Sequence, residues 1–484
     1  MPKSLKKNFA FNLINSVTGL LFPFITFPYA SRIMGAAGIG QVNFYNSIIS
    51  YIILFAGLGI PLYAVREIAR VRDDEYKMNK TFLEIFSLHS FLTIIGYIIV
   101  LILCFTVPRI HEGLPLFLLL SLSIGFTTIG CEWFYQGIED FKYITIRGLC
   151  FRISAIAILF IFVHSSSDIM WYGAYCVFGT VGNNVFNFVH LRKFLYIKQV
   201  KLKKIRPFKH LRAVSLVFIL TAVSTIYISL NTIILGFMTT NANVGYYTTG
   251  IKFFTMVFGM VNALTTTVIP RISNIIAHKE YDKLGEMAQK LYRFTVGVTL
   301  PMVVGLIIVS PYLIVVFCGD GFRPSILVSQ ITAPLILVVG LSNVFGMQIL
   351  YPMGKIKIMI KSAAFASIVD LLIVVLLTKN LREDATAIGY LCAEITATCS
   401  EVLLGKNFIP IKLRDQHLLL YVIGSAIMAL GLYFISLTNL SNIIMVIVMC
   451  VVGIIIYGII LMLRKDFIYL SIRNMVLKRV FRHA

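Results

Sequence analysis

Charged residues are scarce in this chain of 484 residues, of which 13% are Asp, Glu, Lys or Arg. Soluble proteins carry about twice that share, so a chain this poor in charge is not expected to fold as a soluble domain. Hydrophobic residues make up 58% of the chain, and the mean hydropathy is +0.88. Apolar runs of about 20 residues recur from end to end, and each is long enough to cross a hydrocarbon core of ~30 Å. Such runs must be helical in lipid, because a helix satisfies its backbone amides within its own segment. The sequence therefore predicts an all-α integral membrane protein.

Motifs of soluble catalysis are also missing from the sequence. There is no G-x-x-x-x-G-K-[ST] phosphate loop and no H-E-x-x-H, and the eight histidines show no ligand spacing. The eight cysteines form no C-x-x-C pair, and we interpret them as small hydrophobic residues. We therefore expect no enzymatic activity, no cofactor and no metal site.

The net charge of +22 does not predict a nucleic-acid partner. The basic residues lie in short loops between apolar segments, where positive charge indicates membrane topology. We predict about 14 transmembrane helices, at 9–33, 41–63, 82–107, 114–137, 144–163, 168–190, 212–238, 245–269, 287–317, 325–352, 358–378, 385–408, 416–436 and 442–463.

An even number of spans places both termini on the same side of the membrane. By this assignment that side holds about 36 of the 43 Lys and Arg residues. The positive-inside rule makes it the cytoplasmic side. The loops on both sides are too short for a folded domain outside the membrane, so we expect function to reside within the bilayer.

Two halves of the sequence align at a fixed offset. Gly40 and Gly245 each open a span, and Arg66 and Arg271 follow 26 residues later, so both pairs are 205 residues apart. Positions on one face of span 2 correspond to similar positions on span 8. The first face carries Asn43, Ser47, Ser50, Leu54, Gly57 and Pro61, and the second carries Thr248, Lys252, Thr255, Gly259, Asn262 and Thr266. We call these two sets the stripes.

A second correspondence has an offset of 216 residues and pairs Gly130 and Tyr135 with Gly346 and Tyr351. The repeat predicts two pseudo-symmetric six-helix lobes around a central cavity, as in two-lobed secondary transporters. We place the N-terminal lobe at 1–200 and the C-terminal lobe at 201–410. Residues 411–484 then form two extra transmembrane helices and a basic cytoplasmic tail.

Lys252 and Arg32 are the leading candidates for binding an anion. Lys252 lies within a span and amid a polar stripe, where an unpaired cation costs ~2.5 kcal/mol or more and calls for water or a ligand. Arg32 ends the first span, and its guanidinium offers a bidentate grip on phosphate. The alternatives are a lysine that snorkels to the headgroups and an arginine that anchors the end of the span.

Further candidates for the cavity are the matched pair Arg66 and Arg271 and the amides Asn46, Asn231 and Asn262. The arginines are equally compatible with a purely topological role. The amides are equally compatible with helix packing, since small and amide residues often join membrane helices.

Intramembrane carboxylates indicate ion or proton sites, so Glu132, Asp370 and Glu394 are candidates for ion coupling. Pairing with a neighbouring helix is the competing interpretation.

Several segments resemble the Wzx-type flippases of O-antigen and capsular polysaccharide repeat units. These are the opening 8–74, which contains FPYASRIMG, the segment WFYQGIEDFKYITIRGLCFR and the later LYPMGKIK. The resemblance covers most of the chain and is strongest over 8–150. Fourteen spans are two more than is typical of these flippases, although the lipid II flippase of the same superfamily also has fourteen.

The resemblance implies a protein of the bacterial inner membrane with helices 1, 2, 7 and 8 lining the cavity. It implies movement of undecaprenyl-pyrophosphate-linked oligosaccharide from the inner to the outer leaflet. Arg32 and Lys252 would meet the pyrophosphate. Membrane lipids, a polysaccharide polymerase and other export proteins are the implied partners. The alternatives are a multidrug or cation antiporter of the same fold, a lipid II flippase, and a membrane-embedded polysaccharide polymerase or ligase.

Overall fold

The computed structural model describes residues 5–196, 200–265, 268–278, 280–470 and 473. These residues are almost entirely helical, and no β-strand occurs among them. The chain divides into two compact units, Met1–Gly245 and Tyr246–Ala484. The predicted lobe boundaries follow the sequence repeat rather than compactness, and they stay a prediction.

The described helices that begin in the first unit are α1 (Leu5–Gly57), α2 (Ile60–Val71), α3 (Glu75–Thr106), α4 (Pro108–His111), α5 (Leu114–Gly130), α6 (Glu132–Gly137), α7 (Phe141–Phe162), α8 (Ile169–Val177), α9 (Asn183–His190), α10 (Leu211–Met238) and α11 (Asn241–Thr265). A π-helical turn at Phe178–Gly182 joins α8 to α9. Short 3₁₀ turns occur at Leu191–Lys193, Leu202–Lys204 and Pro207–His210.

Helix α1 contains the first predicted span, 9–33, and most of the second, 41–63. The loop expected between them is reduced to a break at Gly35, whose backbone has φ 63° and ψ 177°. Glycine adopts a positive φ without steric cost, so one residue is enough to interrupt the helix. The chain turns again at Leu58 and Gly59, both with positive φ, before α2 begins.

The start of α3 shows how local sequence sets a helix boundary. Asp74 Oδ1 accepts a hydrogen bond from the backbone N–H of Lys77 at 3.0 Å, which satisfies one of the first amides of the helix. The side chain and backbone of Lys77 lower the pKa of the Asp74 carboxyl below its ordinary value.

Aromatic side chains fill the core of the first unit near α3, α6 and α7. Phe134 packs edge-on against Phe82 with ring centroids 5.5 Å apart, and Tyr135 lies 5.8 Å from Phe134. Both Phe134 and Tyr135 are completely buried. The segment WFYQG, which also carries the family resemblance, thus forms part of this core.

The second unit contains the rest of α11 and the helices α12 (Ile269–Ala277), α13 (Tyr281–Cys318), α14 (Pro324–Thr332), α15 (Leu335–Ser342), α16 (Ile356–Leu381), α17 (Glu383–Gly405), α18 (Gln416–Ser436) and α19 (Asn442–Leu463). A 3₁₀ turn at Asp320–Phe322 follows α13, and a π-helix at Asn343–Leu350 continues α15.

Helices α18 and α19 are built into the core of the second unit. The hydroxyl of Tyr457 in α19 donates to the backbone oxygen of Gly297 in α13 at 2.7 Å. A Cβ at position 297 would lie 2.4 Å from Ile468 Cδ1 and 3.0 Å from Tyr421 Cζ. Only glycine therefore lets these side chains approach α13 so closely.

Ten helical segments of the described chain are long and apolar enough to cross a membrane. The first of them, Phe22–Val71, has 50 residues, which exceeds the ~20 residues needed for one crossing. The prediction of an all-α integral membrane protein is confirmed, whereas the count of 14 spans stays a prediction.

Candidate functional site

An arginine lies near the middle of a membrane-spanning helix of the first unit. Arg152 is the twelfth of the 22 residues of α7, about 16 Å from the start of a helix about 33 Å long. Its Nη1 donates to Thr18 Oγ1 of α1 at 2.7 Å. A Cβ at Gly19, the next residue of α1, would lie 3.5 Å from Arg152 Nη2. The guanidinium is therefore held against a helix that the resemblance places at the cavity.

A second arginine lies one and a half turns earlier in α7. Arg147 is 7% exposed, and its Nε and Nη1 have no hydrogen-bond partner among the described residues. Its guanidinium lies over the ring of Tyr143, 5.3 Å from the centroid. Glu132, the first residue of α6, is the carboxylate whose charge acts on both Arg147 and Arg152. Glu132, a candidate predicted from the sequence, thus interacts electrostatically with two cations that we did not single out from the sequence.

A sequence signal for these two arginines was available. Both lie inside the predicted span 144–163, and a cation within a span is rare and usually functional. Lys252 drew attention because it lies amid a polar stripe, whereas Arg147 and Arg152 lie in a mostly apolar helix.

The residues of the two predicted stripes are half-buried or exposed wherever their side chains are described. On α1 and α2, none of the six stripe residues is buried. On α11, the four stripe residues with described side chains are half-buried or exposed. A cavity of about 200 Å³ adjoins the stripe of the first unit, and it is lined by Ser50, Tyr51, Ile53, Leu54 and Ser229.

The predicted cations of the first unit lie near the break in α1 and in the middle of α2. Arg32 is exposed in α1, three residues before the break at Gly35. Arg66 is exposed in α2, with its Nη2 3.2 Å from Glu67 Oε1 and its guanidinium 5.6 Å from the ring centroid of Tyr63.

The remaining predicted residues are on three helices. Asn46 in α1 is half-buried, whereas Asn231 in α10 is 1% exposed. Lys252 is half-buried, eleven residues into α11, and its backbone oxygen accepts a hydrogen bond from Thr255 Oγ1 at 2.8 Å. The side chain of Asn262 lies outside the described part of the structure. A binding role for these residues stays a prediction.

The acidic candidates of the second unit are buried along α16 and α17. Asp370 is 1% exposed, and a Cβ at Gly389 would lie 2.9 Å from its Oδ1. Glu394 is 6% exposed, and it lies one helical turn after Tyr390 in α17. Farther along α17, Glu401 is also 6% exposed and accepts a hydrogen bond from Ser342 Oγ at 3.0 Å.

Arg271 lines a cavity of about 640 Å³ in the second unit. The other lining residues are Val268, Ile275, Lys283, Glu286, Met287, Lys290, Leu291, Phe294 and Phe467. This cavity combines an apolar wall with several charged side chains, a composition that fits an amphiphilic molecule.

A buried carboxylate that the sequence analysis missed fixes the segment before α10. Glu84 in α3 is 1% exposed; it contacts Lys209 Nζ at 2.5 Å and His210 Nε2 at 3.3 Å. His210 Nδ1 shares a hydrogen bond of 2.7 Å with the hydroxyl of Tyr63. Burial lowers the pKa of His210 although the contact with Glu84 opposes this shift. These contacts hold the basic segment before α10 against α2 and α3, and we interpret the network as structural and not as a ligand site.

The comparison with family models gives one match over more than half of the chain. Residues 5–276 match the model described as polysaccharide biosynthesis protein. No group of three or more His, Cys, Asp or Glu residues suited to a metal ion occurs within the described ranges.

Two curated relatives cover most of the chain, and both carry the provisional name of O-antigen transporter. One, from Escherichia coli (strain K12), is 25% identical over 408 residues, which cover 84% of this chain and 97% of the relative. The other, from Shigella dysenteriae, is 22% identical over 375 residues, which cover 76% of this chain and 91% of the relative.

Two solved structures share the fold. The lipid II flippase MurJ in an inward closed conformation superposes with a TM-score of 0.77 at 16% identity, covering 95% of this chain and 100% of MurJ. An inward-facing multidrug resistance transporter of the MATE family, in the MOP superfamily, gives 0.62 at 13% identity, covering 83% and 94%. At these identities the likeness concerns the fold alone.

Proposed function

The chain belongs to the polysaccharide biosynthesis protein family, as the resemblance to Wzx-type flippases predicted, and from that premise we propose that it is a flippase. Its substrate in this proposal is an undecaprenyl-pyrophosphate-linked oligosaccharide repeat unit, moved from the inner to the outer leaflet of the bacterial cytoplasmic membrane. Both relatives with the provisional name of O-antigen transporter support this substrate class.

The observation that carries the proposal is Arg152, a guanidinium held near mid-depth of α7 and hydrogen-bonded to α1. A diphosphate that crosses the membrane loses its hydration in the hydrocarbon and needs a fixed cation to replace it. A guanidinium binds phosphate oxygens through two parallel hydrogen bonds, which a solvated ion does not offer. Arg152 has both the chemistry and the depth that this task requires.

The residues predicted from the sequence take the following roles. Lys252 and Arg32 also bind the pyrophosphate, with Arg66 at the cytoplasmic side. The predicted role of Arg271 in the substrate site is not part of this proposal. Amides and hydroxyls such as those of Asn46, Asn231 and Asn262, together with the uncovered stripes, replace the water around the sugars. The polyprenyl tail stays in lipid, so that the protein handles only the polar part of the substrate.

Transport proceeds by alternating access, in which the substrate site opens to one leaflet and then to the other. Glu132, Asp370 and Glu394 are the candidates for coupling an ion or proton to the return of the empty carrier. The basic loops and both termini face the cytoplasm, and a polysaccharide polymerase receives the flipped product. The protein itself performs no catalysis.

A multidrug antiporter is the main alternative because the MATE transporter shares the fold. Cationic drugs call for an acidic site. The described carboxylates Asp370, Glu394 and Glu401 offer one along α16 and α17. We favour the flippase because α7 brings Arg147 and Arg152 into a spanning helix, where they would repel a cationic drug.

The test uses purified protein reconstituted in sealed vesicles with an undecaprenyl-pyrophosphate-linked oligosaccharide in one leaflet. Exposure of the glycan in the other leaflet is followed with an impermeant glycosidase. We expect the exposed fraction to grow only in vesicles that contain the protein. Equal exposure in empty vesicles, or drug efflux without glycan exposure, would contradict the proposal. In cells, depletion should leave repeat units on the inner leaflet, whereas loss of a polymerase would leave them on the outer one.

A further inference from the structure

The cavity of about 640 Å³ in the second unit has a rim of charged side chains. It lies between the short helix α12, which carries Arg271, and the first turns of α13, which carry Lys283 and Lys290. Arg271 is exposed, and the two lysine side chains are 68% and 57% exposed. Three cations therefore surround an accessible opening.

Two carboxylates offset part of this positive charge. Lys283 Nζ lies 2.9 Å from Glu280 Oε1, and Lys290 Nζ lies 3.8 Å from Glu286 Oε2. Three cations against two carboxylates leave one net positive charge from these described groups. This charge complements a monoanion such as a phosphodiester better than a diphosphate, which carries more negative charge.

The wall of the cavity is apolar and includes Met287, Leu291, Phe294 and Phe467. The described residues that line it include no Asn, Gln, Ser, Thr or Tyr, so they provide no amide or hydroxyl groups for a sugar. Burial of hydrocarbon against such a wall contributes roughly 25 cal/mol per Å² of apolar surface. The cationic rim and the apolar wall therefore favour a molecule that has an anionic headgroup and a hydrocarbon chain but no glycan.

The position of the cavity along the chain agrees with such a molecule. Helix α12 and the start of α13 as far as Lys283 lie in the basic segment PRISNIIAHKEYDK, which the predicted topology puts at the cytoplasmic surface. The candidate span from Asp282 to Cys318 begins within this segment, so Lys283 and Lys290 lie in its first turns. Headgroups of the inner leaflet would lie at this level, and basic side chains there attract anionic lipids.

We propose that this cavity binds an anionic phospholipid of the inner leaflet, with its phosphodiester at Arg271, Lys283 and Lys290 and one acyl chain along Phe294 and Phe467. The site is separate from the one that binds the transported substrate. It depends on the cytoplasmic orientation of the basic loops and not on the identity of the glycan.

The experiment measures lipid binding to the purified full-length protein by native mass spectrometry in detergent, with phosphatidylglycerol and phosphatidylcholine as probes. The wild type should bind phosphatidylglycerol in preference to phosphatidylcholine. The double variant Arg271→Gln/Lys290→Gln should weaken phosphatidylglycerol binding roughly 25-fold, at about fivefold for each cation removed near the surface. Arg271→Lys keeps the charge and should retain most of the affinity.

The matched control is Arg323→Gln, because Arg323 is a 71% exposed arginine that pairs with Asp320 and does not line the cavity. It should bind both lipids as the wild type does, and equal thermal midpoints without added lipid verify folding of every variant. The single variant Arg271→Gln serves if the double variant is not stable. Undiminished phosphatidylglycerol binding by the cavity variants would overturn the proposal. Equal binding of the two lipids by the wild type would also overturn it.

Undecaprenyl diphosphate is the remaining competitor. The proposal requires that it does not displace phosphatidylglycerol from the wild type at equal concentration. Displacement would make the cavity a loading site for the substrate and would overturn the assignment. Flipping in vesicles of phosphatidylcholine alone reports on the proposed function separately.

Discussion

Arg152 is a costly residue for a membrane protein to keep. A charge at the middle of a spanning helix costs about 2.5–3.5 kcal/mol on insertion scales, and α7 carries Arg147 as well. The hydrogen bond to Thr18 and the charge of Glu132 offset part of this free-energy cost. Neither contact needs an arginine in particular. A ligand that binds a planar guanidinium gives a physical reason for its presence.

Replacing Arg152 tests this reason. We expect Arg152→Gln to reduce the flipping rate by roughly 10- to 100-fold, because a charge-assisted hydrogen bond contributes about 1.5–3 kcal/mol. Arg152→Lys should retain part of the activity, since it keeps the charge but loses the bidentate geometry. The measurement is glycan exposure in vesicles at equal protein content, with Arg323→Gln as the surface control. An unchanged rate for Arg152→Gln at normal thermal stability would remove Arg152 from the substrate site.

The sequence pointed to some of the charged residues inside the membrane and passed over others. Asp370 and Glu394 could be found because a carboxylate in an apolar span is conspicuous. Arg147 and Arg152 were passed over because they interrupt no polar stripe, although a scan for any cation within a span detects them. The contact of Arg152 with Thr18 crosses 134 residues of chain, and no spacing rule gives such a contact.

At the scale of helices, α1 and the start of α11 approach each other more closely than side chains allow. A Cβ at Gly40 would lie 1.7 Å from the backbone oxygen of Asn241, and one at Gly245 would lie 2.0 Å from that of Ala36. Arg109 secures the same region, donating to Thr239 O at 2.7 Å and to Asn241 Oδ1 at 3.0 Å. The burial of Arg109 lowers the pKa of its guanidinium below the ordinary value, although this group stays charged.

A methyl group at position 40 should separate these helices. We expect Gly40→Ala to destabilise the protein by about 1–3 kcal/mol or more, because the added atom meets backbone that cannot rotate away. Gly458→Ala is the matched control: this glycine in α19 has no atom within 4 Å of the added Cβ, so the change should be neutral or stabilising. Thermal unfolding in detergent measures both. Equal midpoints for the two variants would show that α1 and α11 do not pack as described.

The sequence repeat predicted pairs of equivalent positions, and the structure shows which residues each of these positions contacts. Gly40 and Gly245 were paired as equivalents, yet each of them meets the helix that carries the other. The pair Gly130 and Gly346 behaves differently. A Cβ at Gly130 would lie 2.4 Å from Asn184 Cγ, and one at Gly346 would lie 2.6 Å from Glu401 Oε1. Each unit thus seats a polar side chain of a later helix against its glycine, and the offset alone could not identify the partner.

For the whole molecule, composition predicted the fold class and the loops predicted the orientation. Low charge and recurring apolar runs require helices in lipid, because only helices satisfy the backbone amides within one segment. The prediction of the fold class is therefore confirmed, whereas the orientation stays a prediction. The break at Gly35 could not be foreseen in this form. The GAAGIG segment that contains it suggested a loop, whereas its residues other than Gly35 fit a continuous helix. The contacts that build each unit arise from packing between distant segments, which apolar periodicity does not encode.

The direction of charge movement gives a prediction for the whole molecule. The proposed substrate carries its negative charge outward, and an interior-negative potential favours this step by about 2.3 kcal/mol per charge for each 100 mV. We expect flipping in sealed vesicles to accelerate when a potassium gradient with valinomycin makes the substrate side negative. Valinomycin without a gradient is the control. A rate indifferent to the imposed potential would exclude the potential as the driving force of the loaded step.

The contact of Tyr457 and Tyr421 with Gly297 has a consequence for how such a protein gains or loses its last two helices. Without α18 and α19, the surface of α13 around Gly297 would have an uncovered depression that a lipid chain fills poorly. A homologue without these two helices would therefore need a bulkier residue at the position of Gly297. Among these transporters, the presence of the last two helices should therefore correlate with the residue at the position of Gly297 in α13.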